Sequence, residues 1–290
     1  MIDERYVPVD GAELYVRQIG AGHPVVVLHG GPDFDHSYLV PELDEAAHSC
    51  RLIYYDQRGR GRSADGVRPE DVTIGSEVDD LDQVRRHLQL GRIAVLGHSW
   101  GGVLAMEYAT RRPEQVSHLI LMNTAPASGR DADRFRERLR AGRPAGDVER
   151  LRSIAATDSY LAGDLAAEAD YYRIHFRGSF QQPAQLEELL RRLRANFTPD
   201  TVRLARAIED RIHEQTWSSD GYDLIPKLRT LEVPSLVLHG GRELVPLYVP
   251  VHVAQAIPGS RLVVLPGCGH FSYAERPDLV RQHIAALLSA

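Results

Sequence analysis

Lysine is almost absent from this 290-residue chain: Lys227 is the single one among 34 basic side chains, and the other 33 are arginine. Arginine appears throughout rather than in runs, so the bias reads as a habit of composition and not as a function. No basic cluster stands out and the formal net charge is −6, which excludes nucleic acid as an expected partner. Cysteine is scarce. Cys50 and Cys268 are too few for a disulfide framework. No apolar run approaches the ~20 residues that a membrane-spanning helix requires, so no membrane association is expected. The first residues, Met1-Ile-Asp-Glu-Arg5, are charged and lack the apolar stretch of a signal peptide. A reduced, cytoplasmic setting is the expectation. What remains is ordinary for a folded soluble domain, 43% hydrophobic and 26% charged.

One stretch carries chemistry. Gly97-His98-Ser99-Trp100-Gly101 follows a short β-rich run, Ile93–Leu96, and precedes Gly102–Ala109, which reads as a helix. Strand, sharp turn and helix is the setting in which Gly-x-Ser-x-Gly has a mechanical meaning. Small residues on both sides let the turn close and lift the serine hydroxyl above the sheet, beside a helix N-terminus that favours negative charge. The bland alternative is a glycine-rich turn with an idle serine.

A serine needs a base, and the base needs an orienting acid. On a sheet these partners belong on loops after later strands, in the order serine, acid, histidine. Arg261–Leu265 reads as the last strand and runs into Pro266-Gly-Cys-Gly-His270, which makes His270 the base candidate among 13 histidines. His29, His98 and His239 also end strands and read as packing or hydrogen-bonding residues beneath the loops. Cys268, two residues before His270, reads as a small buried filler. Glu243 is the first carboxylate after the strand Pro234–His239, and no aspartate lies between Asp223 and Asp278. Glu243 is therefore the acid candidate, with Asp220, Asp223, Asp131 and Asp133 next. The oxyanion formed on attack needs donors. The backbone N–H of Trp100 is one. The other is the N–H of Gly31, in His29-Gly30-Gly31-Pro32 after the strand Pro24–Leu28.

These residues, with Asp56-Gln-Arg-Gly-Arg-Gly-Arg-Ser63, resemble the α/β-hydrolases, and within them the proline iminopeptidase (prolyl aminopeptidase) branch. The resemblance covers both halves of the core, about two thirds of the chain. It implies an eight-stranded, mostly parallel sheet with helices on both faces and an inserted helical cap. An aspartate at position 99 would have implied dehalogenase or epoxide hydrolase chemistry instead. Three departures stand out. Asp33-Phe34-Asp35 replaces the glycine run expected after His-Gly-Gly-Pro. Glu243 replaces the usual aspartate. No Trp-x-x-Trp-Glu segment, the place of carboxylates that meet a free amine in those enzymes, is found in the middle region. Fold and triad survive these departures; peptidase specificity does not follow.

The pattern along the chain agrees with the fold. Two opening strands join at Asp10-Gly11, a hairpin signal. Strands then alternate with helical segments, which means a mostly parallel sheet covered on both faces. From Pro126 to Lys227 strand formers thin out, and 17 acids alternate with 17 bases. Leu161, Leu165, Ala169, Tyr172 and Phe176 follow a helical period, as do Leu186, Leu189, Leu190 and Leu193. The expected division is therefore a core of residues 1–125 and 228–290 with a helical cap at 126–227. Tyr171, Tyr172, His175, Phe176 and Trp217 are the cap residues expected to line a pocket, although aromatics at such spacing are, taken singly, more often cap core than pocket lining.

The expected activity is that of a cofactor-free serine hydrolase acting on a small-molecule or short-peptide substrate. A small carboxylic ester or amide is the first expectation. An aminopeptidase releasing an N-terminal proline or other small residue is the second, and it needs cap carboxylates that the sequence does not locate. A non-catalytic binding protein on the same fold would ordinarily lose a triad member, and this chain has a candidate for each. Natural substrate and oligomeric state are not legible in the sequence.

Overall fold

Short runs of Val, Ile, Leu and Tyr form eight strands: β1 (Asp3–Val9), β2 (Ala12–Gly20), β3 (Pro24–Leu28), β4 (Arg51–Tyr55), β5 (Ile93–His98), β6 (Val116–Met122), β7 (Ser235–Gly240) and β8 (Arg261–Leu265). In this computed structural model, which describes residues 1–289, they make one sheet in the order β1-β2-β4-β3-β5-β6-β7-β8. β2 pairs antiparallel with β1 and β4, and every other pair is parallel. Between β4 and β6 the chain forms α1 (Ile74–His87) and α2 (Trp100–Arg111). Seven helices separate β6 from β7: α3 (Gly129–Gly142), α4 (Ala145–Ala155), α5 (Asp158–Leu161), α6 (Leu165–His175), α7 (Pro183–Leu193), α8 (Pro199–Gln215) and α9 (Ile225–Leu228). α10 (Tyr248–Ala256) joins β7 to β8, and α11 (Ser272–Glu275) and α12 (Pro277–Leu288) follow.

The central strands are buried on both faces, which is why they read as unbroken apolar runs. Their side chains divide by parity. Val26, Leu28, Val95, Leu119, Leu121 and Val237 pack with α1, α2 and α10 on one face. Val25, Val27, Leu96, Ile120, Met122 and Leu238 pack on the other with α12 and with Leu186, Leu189, Leu190 and Leu193 of α7. The leucine period at 186–193 thus marks one buried helix face. The period at 161–176 does not mark one helix. Gly163 sits at φ +81° and the Asp164 side chain caps a new helix by accepting from the N–H groups of Ala166 and Ala167. This stop-and-start breaks the chain into α5 and α6 and leaves Leu161 59% and Leu165 38% exposed.

Strand register decides what meets at the carboxyl edge. The order reverses around β3, since the chain goes from β3 to β4 on one side and returns to β5 on the other. Open α/β sheets bind ligands at such a switch point. Leu28 pairs with Gly97, so the loop after β3 leaves beside Ser99. His98 pairs with Met122, and Gly240 pairs with Leu265. The loops bearing Asn123, Glu243 and His270 therefore open at the same edge.

Candidate active site

Ser99 occupies the turn between β5 and α2 at φ +54°, a conformation that costs a non-glycine residue of order 1–3 kcal/mol and persists only where surroundings enforce it. They do. A Cβ on Gly97 would stand 2.1 Å from the Gly101 carbonyl oxygen, and one on Gly101 would stand 2.1 Å from that of Leu28. Only glycine fits at either place. The Ser99 N–H donates to the Met122 carbonyl at 3.1 Å, which ties the turn to β6.

His270 and Glu243 stand in line with this serine. The Ser99 hydroxyl lies 3.1 Å from His270 Nε2, and His270 Nδ1 lies 2.6 Å from Glu243 Oε1. An ionised carboxylate only accepts, so the Nδ1 carries the ring proton and Nε2 is left to accept from the serine. Glu243 also accepts from the Val245 N–H at 3.1 Å and from the Asn123 amide. Burial alone would raise its pKa; the neighbouring His270, as charge and as donor, outweighs burial and holds the carboxyl below the ordinary range. Among the other carboxylates considered, Asp131 pairs with His252 at 2.8 Å, Asp133 with Arg136 at 3.0 Å, and Asp223 accepts from the Ile225 N–H. Asp220 is exposed. None of them meets His270.

Two residues that sequence reasoning missed hold this line in place. Asn123, at the end of β6 with φ +49°, donates to Glu243 and to the Gly269 carbonyl and accepts from the Ser272 hydroxyl. A polar residue closing a buried strand was the available signal. Tyr38 had none. Its hydroxyl accepts from the Gly30 N–H at 2.7 Å and donates to His98 Nδ1 at 2.7 Å, and His98 Nε2 donates to the His270 carbonyl at 2.9 Å. One buried chain thus connects the loop after β3, the serine turn and the histidine backbone. Burial pushes His98 down to about 3 and His29 down to about 4, so both rings are neutral. His29 bonds the Gly30 carbonyl and the Gln57 N–H, and His239 is buried near Glu243 and His270. Cys268 is fully buried.

A cavity of about 280 Å³ opens over Ser99, lined by Gly31, Trp100 and His270 from the sheet side and by Tyr171, Tyr172, His175, Phe176, Glu209 and Trp217 from the helical insertion. Gly31 and Trp100 are neighbours of Ser99 there, and neither backbone N–H has a hydrogen-bond partner among the described residues. The Phe176 ring stacks on the Tyr172 ring at 5.5 Å and on His270 at 6.4 Å. Trp217 meets Trp100 edge to face at 5.6 Å. Among the described residues Glu209 of α8 has no hydrogen-bond partner; the His213 ring stands 3.9 Å away, and burial lowers its pKa, so it offers Glu209 no countercharge. The Glu209 side chain lines this pocket and is 30% exposed. Burial, then the nearby Asp33 charge, pushes its pKa well above the ordinary range. Among the described residues no group of three or more His, Cys, Asp or Glu side chains could hold a metal ion, and no helix is long and apolar enough to cross a membrane.

A serine turn and a pocket at the carboxyl edge of a mostly parallel eight-stranded sheet are the marks of a hydrolytic enzyme of the α/β class. Residues 23–277 match the alpha/beta hydrolase fold family, and the chain belongs to that family. It is 29% identical over 299 residues to the proline iminopeptidase of Lactobacillus helveticus, covering 96% of this chain and 94% of that one. The crystal structure of the proline iminopeptidase of Mycobacterium smegmatis superposes with a TM-score of 0.74 at 27% identity, over 99% of this chain and 98% of that one. A thermophilic esterase from Thermogutta terrifontis superposes with a TM-score of 0.69 at 25% identity, over 99% and 98%.

Proposed function

We propose that this hydrolase cleaves small carboxylic esters or amides through an acyl-enzyme on Ser99. The observation that carries the reading is the unbroken line from Glu243 through His270 to the Ser99 hydroxyl, ending in the pocket. The Ser99 hydroxyl attacks the acyl carbonyl as its proton passes to His270 Nε2. Glu243 stabilises the imidazolium and fixes its tautomer. The free N–H groups of Gly31 and Trp100 receive the oxyanion. His270 then protonates the leaving alcohol or amine, and water attacks the acyl-enzyme through the same base. Residues 126–227 act as a cap whose aromatic wall, Tyr171, Tyr172, His175, Phe176 and Trp217, selects the acyl group. Ser99→Ala should keep its fold and lose nearly all turnover of p-nitrophenyl acetate, and an organophosphonate should label Ser99 alone. An adduct on another residue, or an active Ser99→Ala enzyme, refutes the mechanism.

Glu209 favours a second reading within the same chemistry. An unpaired carboxylate facing an aromatic-walled pocket is costly unless a cation arrives there. A substrate ammonium answers that need, as in an aminopeptidase, and several relatives carry the name proline iminopeptidase. Glu209→Gln should cut kcat/KM for proline p-nitroanilide at least about tenfold, the scale of a lost charge-assisted bond, and leave p-nitrophenyl acetate nearly unchanged. Equal effects on both substrates exclude the amine.

A further inference from the structure

The helical insertion grips the core at one particular loop. Three alternating residues at and after the end of α7 do this. Arg192 bonds the Val40 carbonyl and pairs with Glu42 at 2.6 Å. Arg194 bonds both the carbonyl and the carboxylate of Asp33. Asn196 donates to Asp35 at 2.9 Å. The Ser37 hydroxyl returns a bond to the Arg192 carbonyl at 2.8 Å. All of these core partners lie in the loop that follows β3, and that loop contains Gly31.

Arg194 is the centre of the grip. Its side chain is 6% exposed and that of Asp33 is 2% exposed. Its Nε donates to Glu168 of α6 at 2.8 Å, and Glu168 also pairs with Arg206 of α8. The Tyr172 hydroxyl donates to Asp33 at 2.9 Å. Two carboxylates and two guanidiniums sum to zero charge, so the cluster is balanced, yet buried ion pairs are often no better for stability than apolar packing of similar volume. What such a cluster supplies is geometry. The guanidinium fork has fixed directions, and it binds Asp33 by main chain and side chain together. Asp33 in turn determines Gly31. Gly31 sits at φ +118°, and a Cβ there would stand 2.2 Å from the Asp33 nitrogen. The turn is that tight, so a shift of Asp33 rotates the peptide that carries the Gly31 N–H.

We infer that Arg194 is a positioning residue: by clamping Asp33 it aims the Gly31 N–H at the oxyanion, so that seating the cap and assembling the oxyanion hole are one event. The inference rests on the proposed role of Gly31. A cap that lifts away carries Arg194 with it and leaves the enzyme with Trp100 as its one firm oxyanion donor. Productive chemistry is then confined to the pocket with the cap seated.

The test uses Arg194→Lys, which keeps the charge for Glu168 and loses the fork, and Asp33→Asn, which keeps the side-chain shape and loses the charge. Removing one oxyanion donor costs about 10²–10³ in kcat, and misaiming it costs less. Each variant should lower kcat on p-nitrophenyl acetate by about 10–100-fold while KM changes by less than about threefold. Affinity for butylboronic acid, whose tetrahedral Ser99 adduct places an oxygen at the same donors, should fall with kcat. The double variant should be no slower than the slower single one, because both act through one contact. Melting curves establish that each variant is folded, and Asp33→Asn carries the test if Arg194→Lys is not. A folded variant with unchanged kcat and boronate affinity overturns the inference, as does a loss expressed in KM alone or additive losses in the double variant. Phosphonate labelling separates this failure from that of the mechanism: with Ser99 still the labelled residue, the inference alone has failed.

Discussion

Replacing Glu243 by glutamine tests the weakest member of the proposed triad, and the structure predicts how the replacement fails. Glu243 now accepts three bonds, from His270 Nδ1–H, the Val245 N–H and the Asn123 amide. A glutamine has one acceptor oxygen and one NH₂. If its oxygen faces His270, its NH₂ meets the NH₂ of Asn123, and two donors oppose each other. Asn123 cannot simply turn over, because its NH₂ also donates to the Gly269 carbonyl at 3.1 Å and a turned amide would set its oxygen against that carbonyl. If the glutamine NH₂ instead faces His270, the ring proton moves to Nε2 and the base for Ser99 is lost. In either arrangement the negative charge that stabilises the imidazolium is gone. The equivalent change in a serine protease triad costs about 10⁴ in kcat, or about 5 kcal/mol of transition-state stabilisation. Glu243→Gln should therefore retain its fold, lose kcat on p-nitrophenyl acetate by about that factor, and react with phosphonate at Ser99 correspondingly slowly. The pH dependence has a definite sign. The folded pKa of Glu243 is depressed, so its contribution to stability is present above the unfolded value of about 4.3 and is lost as pH falls through the folded value. Acid melting curves of the glutamine variant should show less of this loss. Turnover within tenfold of the parent would mean that Glu243 is not the orienting acid.

The remaining expectations concern the pocket and the chain beneath it. Tyr38→Phe leaves the Gly30 N–H and His98 Nδ1 buried without partners, and each such group costs about 1–3 kcal/mol. Denaturant midpoints should fall by an amount equivalent to about 2 kcal/mol or more, and a change under about 0.5 kcal/mol means that the chain is not a stabilising element. The raised pKa of Glu209 has the opposite sign to that of Glu243. The folded protein binds the proton more tightly there, so stability is lost as pH rises through the window from the unfolded value to the raised one. Glu209→Gln should accordingly melt higher than the parent at pH 7. If an ammonium binds Glu209, preference for proline p-nitroanilide over p-nitrophenyl acetate should fade as pH drops into that window, and a preference flat with pH contradicts the pairing.

Local sequence was enough for whatever depends on neighbours along the chain. The turn at Ser99 needs two glycines at fixed offsets because backbone atoms approach within 2.1 Å of where a Cβ would be, and that requirement is visible in five letters. The apolar runs named the central strands because burial on both faces demands them. His270 and Glu243 could be named as candidates through order alone, as residues that follow particular strands, and the fold brings both into line with Ser99. What neighbours along the chain do not encode is who stands across the sheet. Asn123, Tyr38 and Arg194 each act on residues more than a hundred positions away or on an unrelated loop, through bonds that exist only after Leu28 is in register with Gly97 and His98 with Met122. Glu209 looked like one more charge on a solvated helix, since 17 acids and 17 bases alternate through that region. Only the packing of α8 in the folded chain placed it on the wall of the pocket. The break between α5 and α6 was decided by a left-handed glycine and an aspartate cap, which a count of leucine spacing does not weigh. Periodicity specifies which face of an element is buried; the tertiary structure decides what that face is buried against, and with it which side chains meet a substrate.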